Sequence, residues 1–416
     1  MMTTTPDTHI LDNGMVILGE PMPHVASAAF NFMIPAGAAM LPDGCCGAAN
    51  VICDWIFRGA GERDSRQLSD AMDRLGLHRM DSVSSSHLSV GAAMEAGNLA
   101  AAIDLYADTI LAPHLTDEQF APARELAIDA VHSLDDDPRQ KVALHLRDQF
   151  YPHPLGRNTE GNVAELEQLT AEQTRRLIAR RFDISQMLFA VTGRYDFPAI
   201  CRQLEDRFGS RRGIDAPEPQ LKGPGRHYTH IPNDGAQVHI GLMTACVKPA
   251  DEDYYDARVA VSVLSGGMSA RLFTEVREKR GLCYAIGARY HGLRNAAGVL
   301  CYAGTTPDKA RETFDVTAEQ FRGLSEGITQ DEINRAKAGL KSAVIMHSES
   351  SSNRVGGIGM DHYLLGRVRS LDEIKRRIDA TTLGSVRDFL RRHPFTDFTV
   401  VTIGPRPIDV EQQRHE

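Results

Sequence analysis

LTDEQFAPARELAIDAV, residues 115–131, comes back at residues 328–344 as ITQDEINRAKAGLKSAV. In the first version Thr116 stands as a helix starter ahead of Asp117 and Glu118, and in the second Thr329 stands ahead of Asp331 and Glu332. A hydroxyl at that position satisfies free backbone N–H groups, and acids in the first turn suit the positive end of the helix dipole. The apolar positions keep one register in both copies, as a helix with a single buried face requires. One helix written twice, about half a chain apart, predicts a duplicated unit.

The surroundings repeat as well. LTAEQTRRLIARRF (169–182) runs into the strand-like MLFAVTGRY (187–195), and LGSVRDFLRR (383–392) runs into FTVVTIGP (398–405). Early in the first half, HILDNGMVILGEP (9–21) reads as a hairpin turning at Asn13-Gly14, followed by the strand SAAFNFMIPAG (27–37). VHIGLMTACV (238–247) takes the latter role in the second half. Between the halves, RRGIDAPEPQLKGPGR (211–226) holds three prolines and three glycines and reads as a linker. The predicted division is 1–212, a linker at 213–226, and 227–416. Strands and helices alternating in two like halves predict an α+β protein.

Composition excludes several classes. With 416 residues, 42% hydrophobic and 24% charged, the chain matches two ordinary globular domains and not a disordered or membrane-spanning one. A net charge of −9 argues against nucleic acid as partner, and Arg175, Arg176, Arg180 and Arg181 read as the solvated face of one helix. Seven cysteines, without C-x-x-C spacing, suggest free thiols, including the adjacent Cys45 and Cys46. MMTTTPDTHILDNG has neither the basic and apolar regions of a secretory signal nor the arginines of a transit peptide. A reducing cytoplasm is the expected location, and no membrane association is expected.

The chemistry is written in two motifs. The first is GAANVICDWIFRG, residues 47–59. It resembles the zinc-binding helix of the insulinase/pitrilysin metallopeptidases, whose inverted H-x-x-E-H motif places two histidines and a catalytic glutamate on one helix face. Asn50, Cys53 and Asp54 stand at those three positions here, while the apolar frame and the closing Phe57-Arg58-Gly59 are kept. The resemblance puts the family's third ligand, a glutamate, at Ala130, one residue after Asp129. It therefore implies no metal in this chain. The alternative is a divergent metal site using Cys53, Asp54 and Asp129. The family's substrate strand aligns with Met80, Asp81 and Ser82, without its asparagine; DSVSSSHLSVGAAM (81–94) reads as that strand, and His87 nearby reads as a surface or packing residue.

The second motif is intact. LSGGMSARLFTEVREKRGLCYAI, residues 264–286, is similar to the family's C-terminal signature, in which an arginine and a tyrosine reach towards the zinc. Arg277 and Tyr284 match them. A phenol O–H can stabilise the oxyanion of amide hydrolysis, and a guanidinium can hold a substrate carbonyl. Gly266 and Gly267 are open to two readings, a substrate-touching loop or plain chain geometry. The resemblance implies two homologous domains, each a mixed sheet with helices packed on one face. It also implies the non-catalytic subunit of a heterodimer, completing the site of a zinc-bearing H-x-x-E-H paralogue that cuts peptides. A homodimeric peptide-binding pseudo-enzyme or structural core protein is the alternative.

Overall fold

The computed structural model describes residues 6–214, 218–223 and 227–410, so the linker falls partly outside the described residues, at 215–217 and 224–226. Two compact units emerge. The first combines the chain up to residue 133 with 157–222 and 347–370; the second combines 134–156, 223–346 and the chain from 371.

Each unit is built on one mixed sheet. The first has seven strands, ordered Asp7–Ile10, Val16–Pro21, Leu188–Gly193, Ser27–Ile34, Leu88–Glu95 and His78–Arg79, with Ser82–Val83 also on Leu88–Glu95. The second has five, ordered Tyr228–Pro232, Thr399–Gly404, Val238–Ala245, Ala297–Thr305 and Cys283–Gly292. In the first, the closing strand Leu188–Gly193 pairs in parallel with Val16–Pro21, the second strand of the half; in the second, Thr399–Gly404 pairs in parallel with the opening strand Tyr228–Pro232; the remaining pairs are antiparallel. The duplication read from the helices thus holds for strand order. The expected hairpin is present too: Asp7–Ile10 pairs with Val16–Pro21, and Gly14 supplies the left-handed backbone of its turn with φ 98°.

Alternation along the strands gives each sheet two apolar faces. In the first unit Ile17, Phe30, Phe32, Phe189 and Val191 face a core shared with the helices Ala48–Trp55, Leu99–Leu111, Asp117–Ser133 and Ala171–Arg181. Leu18, Ala29 and Ala190 face the other way, against Val355 and Ile358 of the helix Ser351–Leu365. Small residues bring that helix close: a Cβ on Gly359 would stand 2.5 Å from Met33 Sδ. Buried Arg354 fixes it to the sheet, donating to Glu20 at 2.9 and 2.5 Å.

The second unit mirrors this arrangement. Ile240, Leu242, Val299 and Cys301 face its main core, while Met243, Leu300 and Val401 face Leu146 of the helix Pro138–Phe150. A Cβ on Gly241 would meet Val142 Cγ1 at 2.4 Å, so only glycine admits the helix there. Pro138–Phe150 and Ser351–Leu365 follow equivalent helices of the repeat, and each packs in the unit built mainly from the other half. The contiguous division at 213–226 is corrected accordingly. Each half supplies helices for the inner face of its own sheet and a single cover helix for the outer face of the other.

Candidate functional site

The helix Ala48–Trp55 starts after Gly47, whose φ of 97° admits a sharp entry. Its inward side, with Val51, Ile52 and Trp55 fully buried, fixes the direction of the three motif positions. Each polar side chain there is already engaged within the protein. Asn50 donates its amide to the Thr159 carbonyl at 2.7 Å. Asp54 pairs with Arg58 one turn on. Burial, reinforced by Asp81, pushes the Cys53 thiol up to about 12, so it stays protonated at neutral pH. Ala130 is half-buried and offers no donor, and Asp129 is exposed.

These residues do not fit a zinc ion. Zinc needs deprotonated or neutral electron-pair donors converging on one point, and here one is amide-committed, one ion-paired and one protonated. Among the described residues no group of three or more His, Cys, Asp or Glu side chains is placed to hold a metal ion. Cys53, Asp54 and Asp129 are therefore not assembled into the alternative site.

The expected substrate strand is broken. DSVSSSHLSVGAAM, read as one strand, divides into Ser82–Val83 and Leu88–Glu95 with a serine loop between. The loop is clasped by backbone bonds from Gly37, Ala38 and Ala39 to the carbonyls of Ser86, Ser84 and Ser85, and a Cβ on Gly37 would collide with His87 N at 2.3 Å. His87 is buried, edge-on to Tyr363 at 4.4 Å, and burial lowers its pKa to about 4; it is a packing residue. Asp81 lies between the short strands, and its Oδ2 accepts from Arg79 Nε at 2.9 Å and Nη2 at 2.5 Å.

The second motif has a different character. The helix Tyr254–Ser265 ends at Gly266, whose N–H bonds Ser262 O, and Gly267 follows with open space on its side. Both glycines stand at an exposed turn. The helical turn Phe273–Glu278 is wound as a π-helix, a form that recurs at functional sites, and it carries Arg277. Lys279 and Arg280 both pair with Glu275. Arg277 is exposed, stacked over Phe273 at 4.8 Å, and has no carboxylate partner among the described residues.

Tyr284 sits at a break in register: Cys283 pairs with Thr305, and Ala285 already pairs with Gly304. Such a bulge re-aims a side chain. It turns Tyr284 away from the core, where Cys283 is buried, and leaves it 45% exposed. Its hydroxyl donates to Thr305 O at 2.9 Å. Across Gly304 stands Tyr302: a Cβ there would lie 2.9 Å from the Tyr302 hydroxyl and 3.4 Å from Tyr284 Cε2. Tyr302 is held by His239, whose Nδ1 lies 2.8 Å from its hydroxyl, and by Arg139 over its ring at 5.4 Å. Burial lowers the His239 pKa against the pull of Asp137.

The motif positions 50, 53 and 54 and Asp81 thus fall in the first unit, and Arg277, Tyr284 and the glycine turn in the second. Sequence reading missed Arg79, His239 and Tyr302. Arg79 was visible only as a cation two residues from an acid, and the His239–Tyr302 pair depends on ladder register. The arginine cluster is also more than a solvated face, since Arg175 donates to Leu115 O at 3.0 and 2.9 Å and lies over Trp55.

Known proteins agree with this architecture. The family model described as "Insulinase (Peptidase family M16)" matches residues 16–163, and "Peptidase M16 inactive domain" matches 168–340. An uncharacterized zinc protease of Mycobacterium tuberculosis is 27% identical over 409 residues, covering 96% of this chain and 93% of the relative. One from Bacillus subtilis is 24% identical over 402 residues, covering 94% and 97%. In fold, the chain superposes on a peptidase M16 inactive domain structure from Pseudomonas fluorescens with TM-score 0.87 at 19% identity, covering 97% and 99%. A protease from Helicobacter pylori gives TM-score 0.87 at 18% identity, covering 97% and 100%. With both halves matched in order, the chain belongs to the insulinase family of peptidases, family M16.

Proposed function

We propose that this chain is the non-catalytic subunit of a two-subunit zinc peptidase, lending Arg277 and Tyr284 to the metal site of an H-x-x-E-H paralogue. One observation carries the reading. Asn50 and Asp54 are engaged by internal partners, whereas Arg277 has no carboxylate partner among the described residues and Tyr284 is turned out by a bulge.

The partner's zinc supplies the polarised water. Arg277 offers a planar fork of donors to a substrate main-chain carbonyl. Tyr284 gives one O–H to the oxygen that gains charge as the amide is attacked. At rest that proton is spent on Thr305 O, so substrate must draw the phenol away from it. Glycine at 304 and the His239–Tyr302 pair hold the ring in place for that short movement.

No helix among the described residues is long and apolar enough to cross a membrane. The test is to purify the tagged chain from its native host and identify what accompanies it. A stoichiometric H-x-x-E-H peptidase of similar length, active on peptides only when both chains are mixed, is the expected result. Recovery of this chain alone as a dimer would replace the proposal with a peptide-capturing pseudo-enzyme.

A further inference from the structure

A cavity of about 70 Å³ opens in the second unit beside the glycine turn, where the end of the helix Tyr254–Ser265 meets the start of the helix Gln330–Ser348. Its polar wall is Ser262, Ser269, Glu332 and Arg335, and Gly266 and Gly267 close it along the turn. Glu332 is already engaged. Arg271 binds its carboxylate at 2.6 and 2.9 Å, and the Thr329 N–H and hydroxyl donate to it at 2.8 and 2.9 Å. Arg335, one turn on, is exposed and has no ion pair or side-chain hydrogen bond among the described residues; the Ser262 and Ser269 hydroxyls have none either. The wall therefore carries one uncompensated positive charge and two hydroxyls without a partner in the protein. On the turn itself stands Met268, a large apolar side chain that is 77% exposed.

We propose that this cavity takes the acidic side chain of a bound peptide, its carboxylate held by the Arg335 guanidinium and a serine hydroxyl. Charge selects the ligand. With Arg271 cancelling Glu332, one positive charge remains and matches one carboxylate. A phosphate dianion would bring a second negative charge up against Glu332. The exposed Met268 favours a peptide over a free anion, since residues flanking the acidic one can cover its apolar surface. From Ala270 on the cavity wall, the chain runs through two helical turns, roughly 10 Å, to Arg277. About three residues of extended peptide span that distance. The inference rests on the proposed reading that a peptide carbonyl lies at Arg277, and it adds a preference for an acidic residue a few positions away.

The chain by itself suffices for the test. Two end-capped, dye-labelled decapeptides of leucine and alanine, identical except for one central glutamate or glutamine, are titrated with the chain and followed by fluorescence polarisation. Wild type should bind the glutamate peptide about tenfold more tightly than its twin, as for one charge-assisted pair. Arg335→Ala should erase the difference and Arg335→Glu should reverse it, while Arg335→Lys keeps part of it. Ser262→Ala should reduce it about threefold, as for one hydrogen bond to a charged group. Equal binding of the twins, a preference that survives Arg335→Ala, or no binding of either peptide would overturn the inference. Loss of the preference to acetate at the peptide's own concentration would also overturn it, marking a site for any small anion. Turnover by an assembled peptidase that needs Tyr284 but ignores the glutamate would remove this inference and leave the subunit reading standing. A glutamate preference in a chain that has no peptidase partner would do the reverse.

Discussion

The motif helix of the first unit and the bulged strand of the second descend from the two motifs of one enzyme family, and they have aged differently. On and beside the helix, polar groups have found internal partners: Asn50 with Thr159 and Asp54 with Arg58 on it, and Asp81 with Arg79 on the neighbouring edge. In the second motif the opposite holds: Arg277 has no carboxylate partner among the described residues, beside neighbours that share Glu275, and Tyr284 is aimed outward. A buried polar group that has lost its ligand costs stability until something in the protein satisfies it. A group still kept for a ligand stays open and lends the fold little. Under the proposed reading, the distribution of satisfied and unsatisfied polar groups separates a relict site from one kept for a ligand.

The sharpest perturbation lies in the first unit. Arg354→Ala strands the buried Glu20 carboxylate and should destabilise the first unit by about 3–5 kcal/mol, measurable by urea unfolding. A loss under about 1 kcal/mol would mean the cover helix is held by its small-residue contact alone.

Next in size is Tyr284→Phe, which should lower turnover of the assembled peptidase by about ten- to a thousandfold without loosening assembly, as for one oxyanion donor. Unchanged turnover would reduce Tyr284 to packing and erase the contrast. Gly304→Ala sharpens the point without altering either phenol. It should displace Tyr302 and Tyr284 and lower kcat by about tenfold, the order expected for a slightly misplaced group. An unchanged kcat would show that the ring is not positioned from that side.

The Cys53 thiol gives a pH test. Burial raises its folded-state pKa from an ordinary 9.0 to about 12, so its share of stability is whole below pH 9 and disappears as pH climbs towards 12. Comparing unfolding of wild type and Cys53→Ala across that window should show an excess loss in wild type approaching about 1.4 kcal/mol per pH unit. Parallel pH curves would mean the thiol is accessible to solvent.

The smallest effects state the comparison directly. Asn50→Ala should cost about 1 kcal/mol for one lost hydrogen bond. Arg277→Ala should leave stability within about 0.5 kcal/mol, as for an exposed surface change. If Arg277 proved the costlier of the two, the second motif would be structural as well.

Much of this was legible in the sequence. The twin helices carried the duplication, and residues 47–59 and 264–286 carried the family. What stayed hidden was whatever depends on the far partner of a surface. Pattern in SSNRVGGIGMDHYLL shows a small-residue face, but amphipathicity does not say which sheet receives it. The serine run read as a continuous strand through the family alignment, yet the loop's bonds to Gly37, Ala38 and Ala39 break it there. His239 and Tyr302 are distant in sequence, and only the ladder register of Val238–Ala245 against Ala297–Thr305 brings them together.

The crossed cover helices also set a timetable for synthesis. The first sheet receives its last strand at residue 193, but the helix that shields its outer face ends at Leu365. At ordinary elongation rates the nascent unit waits roughly 10–30 seconds with Leu18, Ala29 and Ala190 bare to solvent. Separating the gene at the linker would make that wait permanent for both sheets. Neither half can be finished until the other has been made.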